Sequence, residues 1–339
     1  MIPGLSRPLL VAAVLVGLPV WSGGCGAGRH VVEAPSSPAL RRFEYRRVVM
    51  GVQARIVLEA PSEESAFDAA SAAFDRLAEL NSRLSDYQQG SEINRLCGAT
   101  VRVPQHVSDD LWTVLEAAKE VHRASGGAFD ITVGHATRLW RAARASGQPG
   151  DPAALAHARA RIDMHGITLD PSTRSVTLTR SDLALDLGGI AKGYAAQHAV
   201  KTLRERGIAR CLVALAGDIA LGDAPSGQTG WRIAIETDND ANADREIVLA
   251  NVCVSTSGSS QQSVEIAGVR YSHMLDPRTG IGTTHTIAAT VIGPDGARTD
   301  ALATALCVMD PSQRTELIAA YPQYRFVIHD TALVPRSSR

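Results

Sequence analysis

Hydrophobic and polar positions alternate with the period of a strand in some segments of this chain and with that of a helix in others. Residues 45–58 alternate as one or two strands around Met50-Gly51. A helix is predicted to begin at Ser62, an N-cap residue that precedes two glutamates. Its apolar stripe is Phe67, Ala70, Phe74, Leu77 and Leu84. A second helix is predicted from Ser108, with Leu111, Val114, Leu115, Ala118 and Val121 on its buried side.

The rest of the chain continues this mixture. A short helix is predicted after Asp151-Pro152, a hairpin over 167–179, a buried strand over 211–215 and two antiparallel strands over 231–249. Residues 286–292 form the next predicted strand, a helix opens at Asp300, and a final helix and strand follow from 317. Strands that pair through short turns, mixed with amphipathic helices, predict an α+β fold with antiparallel sheets and packed helices.

The stretch around Gly188-Gly189 carries the first chemical signal. An apolar run over 183–187 precedes it and an Ala-rich helical pattern follows, which predicts strand, tight turn and helix. Paired glycines admit an anion to the N–H groups of the helix, and Lys192 in its first turn opposes the helix dipole unless an anion is near. An isolated Gly-Gly is more often a simple turn, but Asp186 and Lys192 favour a phosphate site. The Rossmann and P-loop glycine patterns are absent.

The amino terminus has the pattern of an export signal. An apolar run over 8–21 is followed by Ser22-Gly23-Gly24-Cys25, which predicts a signal peptide over 1–24. The junction resembles a bacterial lipobox, with Ser22 where Leu is preferred, so Cys25 is the expected lipidation site. The protein is expected to be exported and lipid-anchored to a bacterial membrane, where it faces the periplasm or the exterior. Ordinary secretion with a free Cys25 is the alternative.

The domain layout follows from the same patterns. Residues 25–40 are a flexible tether, 41–330 the folded domain and 331–339 a tail. The 339 residues are 45% apolar and can bury a sizeable core. A net charge of −1 and few aromatic residues argue against nucleic-acid binding. The four other cysteines are far apart, which predicts buried free thiols at Cys97, Cys211, Cys253 and Cys307.

Several motifs, in order over residues 45–310, resemble one family. The segment 186–194 (DLGGIAKGY) resembles the signature of the ApbE family, the FAD:protein FMN transferases. The other matches are Met50-Gly51, Tyr87 with the Ser-Glu-Ile after it, 126–134 (GGAFDITVG) and 271–280 (YSHMLDPRTG). The resemblance implies an α+β fold of two lobes with the nucleotide in the cleft between them.

The resemblance also implies a set of FAD contacts. Met50 contributes to the flavin pocket, and Tyr87 is a candidate to stack on the isoalloxazine, although a half-buried loop tyrosine is equally compatible with its position. Ala128, Phe129 and Asp130 would surround the adenosine, because a carboxylate can accept two ribose hydroxyls. A lone Asp at that position would more often cap a helix. The remaining expected contacts are Asp186, Lys192 and Leu275.

The resemblance implies a magnesium site on the helix that is predicted to open at Asp300. Asp300 and Thr304 are four residues apart and therefore share a helix face. Such a pair is commonly a solvated surface, but in the family the matching residues bind Mg²⁺ together with a main-chain oxygen that falls on Gly189 here. Mg²⁺ prefers hard oxygen ligands of this kind. Asp300 and Lys192 are accordingly candidate catalytic residues.

His273 is the histidine to single out among the ten. An imidazole at a strand end beside a phosphate site can move protons near neutral pH. The alternative is that it only anchors the turn at Asp276-Pro277. The family pattern is broken at Val52, where a threonine is usual, and at Ala214 and Ala216, where asparagine and glycine are usual.

The expected activity is Mg²⁺-dependent transfer of FMN from FAD to a Thr or Ser hydroxyl of a partner flavoprotein, with release of AMP. One alternative is a Mg²⁺-dependent FAD pyrophosphatase, in which water replaces the hydroxyl. Another is a lipoprotein that binds FAD without catalysis. All three need the same pocket, and the departures at Val52, Ala214 and Ala216 slightly favour weakened catalysis.

Overall fold

An antiparallel sheet of seven strands organises the part of the chain that the computed structural model describes, residues 39–235, 245–258, 263–285 and 287–330. The strands are β1 (Arg41–Val49), β2 (Val52–Ala60), β3 (Gln105–His106), β4 (Ile167–Asp170), β5 (Ser175–Leu178), β6 (Cys211–Leu215), β7 (Asp218–Leu221), β8 (Trp231–Ile235), β9 (Arg245–Leu249), β10 (Cys253–Gly258), β11 (Ser263–Ile266), β12 (Val269–Ser272), β13 (Leu275–Asp276), β14 (Ile281–Gly282), β15 (Ile287–Gly293) and β16 (Arg325–Asp330). The helices are α1 (Glu63–Leu84), α2 (Glu92–Cys97), α3 (Asp109–Ala124), α4 (Gly134–Ser146), α5 (Pro152–Arg159), α6 (Ala191–Glu205), α7 (Gly296–Val308) and α8 (Pro311–Ala320).

The large sheet has the order β1-β2-β6-β7-β10-β15-β16. Its first hairpin is closed by Met50 and Gly51, whose φ angles of 53° and 73° are left-handed and suit a two-residue turn. The chain between β2 and β6 carries six helices before it returns to the sheet. Smaller sheets are formed by β3-β5-β4 and by the hairpins β8–β9, β11–β12 and β13–β14.

The two faces of the large sheet are both covered. Successive side chains of a strand point to opposite faces, and in β2 this places Ile56 and Leu58 in the main core with α1, α6 and α7. Val57 points the other way, into a smaller cluster with Trp231 and Ile233 of β8. The helices therefore pack on one face, and the β8–β9 hairpin covers part of the other.

Helices α6 and α7 approach each other through two glycines. A Cβ atom on Gly193 would lie 2.0 Å from the carbonyl oxygen of Gly296, and one on Gly296 would lie 2.2 Å from the carbonyl oxygen of Gly193. Neither position has room for a side chain without separating the helices. This close crossing brings the first turn of α6 beside the middle of α7.

The predicted α+β fold with antiparallel sheets is confirmed. The described cysteines are free, with Cys97 half-buried and the other three buried. None of the described helices has the length and apolar character that crossing a membrane requires. The predicted signal peptide, Cys25 and the tail over 331–339 lie outside the described residues.

Three local predictions are wrong. Residues 183–187 are not a strand, because Ala184 O and Asp186 N bond to the 131–134 turn, at 2.9 and 2.8 Å, rather than to a strand. Phe67 is 54% exposed and meets Tyr45 edge to face at the surface. The helix predicted to open at Asp300 is α7, which begins at Gly296 with Asp295 as its cap, so Asp300 lies in its second turn.

Candidate active site between α6 and α7

Lys192, in the first turn of α6, lies between two carboxylates. Its Nζ is 3.0 Å from Oδ2 of Asp218 at the start of β7 and 3.4 Å from Oδ2 of Asp300. It also donates to the carbonyl oxygen of Gly188 at 3.0 Å. Burial by itself would lower the pKa of Lys192, but the two carboxylates hold that pKa above its usual value. Lys192 is therefore a fixed positive charge in the structure.

The surroundings of Asp300 disfavour its ionised form. It is 2% exposed, and burial followed by repulsion from Asp218 raises its pKa well above the usual range, against the opposing effect of Lys192. The N–H of Gly193 donates to Oδ2 of Asp300 at 3.1 Å. The carboxylate of Asp300 is thus the anion at the amino end of α6. The sequence did not reveal it as the partner of Lys192 and of the helix dipole.

The three expected magnesium ligands lie on α7 and on the turn that packs against it. Asp300 and Thr304 lie one turn apart on α7, and a Cβ atom on Gly189 would lie 3.0 Å from Oγ1 of Thr304. Thr304 Oγ1 is also 3.4 Å from the hydroxyl of Ser257. Within the described ranges no group of three or more His, Cys, Asp or Glu side chains could hold a metal. The available donors are one carboxylate, one hydroxyl and a main-chain oxygen, which fit a hard cation that keeps substrate oxygens in its shell.

His273 lies in the bend between β12 and β13. Its side chain is half-buried, and its Nδ1 is buried with no hydrogen-bond partner among the described residues. Burial, and then the positive charges of Arg144 and Lys192, lower the pKa of His273 to about 4. The imidazole is therefore neutral at physiological pH and has an unused nitrogen.

The turn after His273 is held by other groups. Gly280 N donates to Asp276 O at 2.8 Å, and the backbone and guanidinium of Arg278 bond to the Asp276 carboxylate. The orphaned Nδ1 of His273 takes no part in these bonds. Nδ1 of His273 therefore does not anchor the turn at Asp276-Pro277.

A second charged group lies beside Gly188. Arg141 of α4 donates to Asp86 Oδ2 at 2.6 Å and to Asp186 Oδ2 at 3.2 Å. Asp186 in turn accepts the N–H of Gly188 at 2.8 Å. The Arg141 guanidinium also lies over the ring of Tyr87, 4.2 Å from its centroid, while Tyr87 remains 73% exposed. Tyr87 is thus an exposed ring and not a half-buried one.

Asp130 has the geometry of a cap. It is buried, and its Oδ1 accepts from both the N–H and the hydroxyl of Thr132, at 2.7 and 2.5 Å. Its Oδ2 lies 3.3 Å from Nδ1 of His122. Burial raises the pKa of Asp130, while its bonds to Thr132 oppose that shift. Its hydrogen-bonding capacity is directed at the turn it caps.

The remaining predicted contacts are spread over several elements. Ala128 and Phe129 are buried, and the ring of Phe129 would lie 3.3 Å from a Cβ atom on Gly189. Met50 lies in the β1–β2 turn against the main core, and Leu275 of β13 packs near Trp140. The structure therefore brings Phe129 to the Gly189 turn, whereas Met50 and Leu275 are placed by other packing clusters.

Sequence reasoning missed three charged residues of this site. Asp218 lies two residues after Ala216, one of the departures from the family pattern, but it was not assigned a role. Asp86 and Arg141 carried no signal, because 55 positions separate them in the chain. Only the docking of α4 against the loop after α1 reveals that they pair.

Several proteins to which this chain is similar are named flavin transferases. A Klebsiella pneumoniae protein named FAD:protein FMN transferase is 30% identical over 315 residues, 90% of this chain and 88% of that protein. A Vibrio cholerae protein of the same name is 33% identical over 239 residues, 69% of this chain and 71% of that protein.

The solved flavin transferase ApbE from Vibrio cholerae superposes with a TM-score of 0.75 at 26% identity, covering 87% of this chain and 95% of that one. The flavinyl transferase ApbE of Pseudomonas stutzeri, in its apo form, gives 0.72 at 26%, covering 86% and 92%. Residues 50–328 match the profile of the ApbE family, and the chain belongs to that family.

Proposed function

We propose that this protein transfers FMN from FAD to a Thr or Ser hydroxyl of a partner flavoprotein and releases AMP, in a reaction that depends on Mg²⁺. The relatives' name, FAD:protein FMN transferase, supplies the reaction class. The observation that carries the proposal is that the Gly189 turn packs against Thr304, which lies one helical turn along α7 from Asp300.

The residues present fit the metal. Asp300, Thr304 and the main-chain oxygen of Gly189 would hold Mg²⁺. When bound, the ion would neutralise charge on the pyrophosphate of FAD and so favour departure of AMP. Lys192 and Gly193 already hold the Asp300 carboxylate in one orientation. The protein thus offers a preformed ligand and pays little ordering cost on binding.

The proposed reaction is a phosphoryl transfer. A bond forms between the acceptor oxygen and the flavin-side phosphorus, and the bond from that phosphorus to the bridging oxygen breaks. The acceptor hydroxyl loses its proton to a base, and AMP leaves with the bridging oxygen. His273 is the base we assign, because its imidazole is neutral and its Nδ1 has no hydrogen-bond partner among the described residues.

The test uses the purified folded chain with FAD and Mg²⁺. The acceptor is a flavoprotein domain that carries its flavin on a Thr, and the same domain with that Thr replaced by Val is the control. We expect a covalently fluorescent acceptor band and one AMP per flavin transferred, both lost with EDTA. FMN and AMP released in equal amounts without labelling would identify a pyrophosphatase. FAD bound and left intact would identify a carrier.

We also propose that the protein is exported and anchored through a lipid on Cys25. The supporting pattern is the apolar run over 8–21 followed by Ser22-Gly23-Gly24-Cys25. Expression of the full chain and of Cys25→Ser in a bacterium, followed by membrane fractionation, tests it. We expect only the wild type to sediment with membranes and to dissolve in detergent. Equal release of both variants as soluble protein would refute the anchor.

A further inference from the structure

The side chain of Arg141 joins three features of the molecule that the chain keeps far apart. It pairs with Asp86 in the loop after α1, with Asp186 before the Gly188 turn, and with the ring of Tyr87. The side chains of Asp86 and Asp186 are each only 9% exposed, and that of Arg141 is 29% exposed. A planar guanidinium can satisfy two carboxylates through its edge and still present its face to an aromatic ring.

Tyr87 is open on its other side. The ring is 73% exposed although one face lies under the guanidinium at 4.2 Å. An isolated surface tyrosine would rotate freely, and ordering it on binding would cost conformational entropy. The contact with Arg141 restricts the ring before any ligand arrives. The exposed face is then a preformed platform for a flat ring system.

The platform is connected to the Gly188-Gly189 turn. Asp186 binds Arg141 through Oδ2 and the N–H of Gly188 through Oδ1. Gly188 O in turn accepts from Lys192. Tyr87 is therefore linked to the Gly188-Gly189 turn by its cation–π contact with Arg141 and by the hydrogen bonds that join Arg141, Asp186 and Gly188.

We propose that Arg141 is a positioning residue that holds the Tyr87 ring at a set distance from the Gly188-Gly189 turn, so that the flavin of FAD stacks on the ring while its pyrophosphate lies at the turn. The identity of the stacked ring rests on the proposed function. The residue acts through Tyr87 and Asp186 and does not itself touch the reacting atoms.

The experiment measures FAD and ADP affinities by calorimetry in the presence of Mg²⁺. ADP carries the adenosine diphosphate part and lacks the flavin. Arg141→Lys keeps the positive charge between the two carboxylates but loses the planar face, so we expect its melting temperature to stay near that of the wild type. We expect FAD binding to weaken roughly tenfold, the size of a lost aromatic stack, and ADP binding to stay unchanged.

Variants of Tyr87 complete a double-mutant cycle with Arg141. Tyr87→Ala should weaken FAD binding as much as Arg141→Lys, and Tyr87→Phe should not. The double variant Arg141→Lys, Tyr87→Ala should be no weaker than Tyr87→Ala alone, because both changes remove one platform. Arg138→Lys, at an exposed position one turn earlier in α4, is the matched control and should bind both ligands as the wild type does.

Three results would overturn the inference: wild-type FAD affinity in Arg141→Lys, equal weakening of FAD and ADP, or losses that multiply in the double variant. A failure of the proposed function looks different. The expected affinity pattern without any labelling of acceptor would refute the transferase and leave the role of Arg141 standing. Normal labelling with unchanged affinity in Arg141→Lys would refute only the role of Arg141.

Discussion

The N–H of Gly193 in α6 donates to the carboxylate of Asp300 in α7 at 3.1 Å. This bond exists because Gly193 and Gly296 let the two helices touch through their backbones. The carboxylate is thereby both the anion at the amino end of α6 and the metal ligand we propose. Asp300 consequently contributes to folding as well as to chemistry, whereas an exposed residue at a helix start would contribute little to either.

Asp300→Ala and Asp300→Asn should separate these two contributions. Alanine leaves the buried Gly193 N–H without its acceptor, so we expect the free energy of unfolding to fall by about 1–3 kcal/mol. Asparagine keeps an oxygen that can accept this bond and should cost less. Both variants should lose Mg²⁺-dependent transfer. Denaturant titrations and transfer assays over a Mg²⁺ series measure this, and full transfer by Asp300→Asn would contradict the metal assignment.

His273 variants test the base. Loss of a general base should lower the transfer rate by roughly 10²- to 10⁴-fold, while FAD affinity stays nearly unchanged because the role lies in the transition state. His273→Ala and His273→Asn should both show this loss, since an amide is not a base. Near-normal transfer by His273→Asn would show that the side chain only supports the turn.

The same histidine should make stability depend on pH. Its folded-state pKa of about 4 lies below the 6.5 of an ordinary histidine. Above pH 6.5 the imidazole is neutral in both the folded and the unfolded chain, so the stability that its neutral form contributes is fully present. As the pH falls from 6.5 towards 4, the unfolded chain takes up a proton that the folded chain does not, so stability is lost.

The loss through His273 should reach roughly 1–2 kcal/mol at pH 5. It is measured as the difference in unfolding free energy between the wild type and His273→Asn at pH 7 and at pH 5, because other groups titrate alike in both. An equal difference at the two pH values would show that the imidazole is not shielded from protons in the folded state.

Ala216 is a position where this chain carries strain. Its φ of 54° is left-handed, in the turn between β6 and β7 that places Asp218. A side chain in this region costs about 1–2 kcal/mol, partly offset by the greater freedom of glycine in the unfolded chain. Ala216→Gly should therefore raise the free energy of unfolding by about 0.5–1 kcal/mol. Ala214→Gly, in the regular strand β6, is the control and should lower it.

Gly193→Ala should break the helix crossing. The added Cβ would meet the Gly296 carbonyl oxygen at 2.0 Å, so α6 and α7 must separate. We expect a loss of about 3 kcal/mol or more, as for other overpacked cores, together with loss of transfer. Gly150→Ala, where nothing lies within 4 Å, is the matched control and should melt like the wild type. Unchanged melting of Gly193→Ala would contradict the crossing described above.

Local signals in the sequence determined the elements. Ser62, Ser108 and Asp151 each cap the helix predicted after them, through a hydrogen bond to an N–H two or three residues on. The α+β class follows from these helices and the paired strands. The interaction that defines each element spans a few residues, so the sequence contains it in full.

The same reasoning explains the errors. The 183–187 run has the apolar character of a strand, but a strand also needs a neighbour, and its bonds go to the 131–134 turn. Phe67 fits the helical period, yet the core does not extend to its side of α1. The start of α7 was misplaced because Asp295, its true cap, precedes a glycine and was not recognised as a cap.

Only the tertiary structure decided which charges meet. The family resemblance pointed to Asp300, Thr304, Gly189 and His273, but their environment depends on how α6 crosses α7 and on what each loop packs against. Lys192 and Asp300 are 108 positions apart, and Arg141 and Asp186 are 45 apart. The strength of such pairs depends on distance and burial, neither of which is a property of sequence neighbours. For Lys192 and Asp300, the close helix contact that Gly193 and Gly296 permit sets both the distance and the burial.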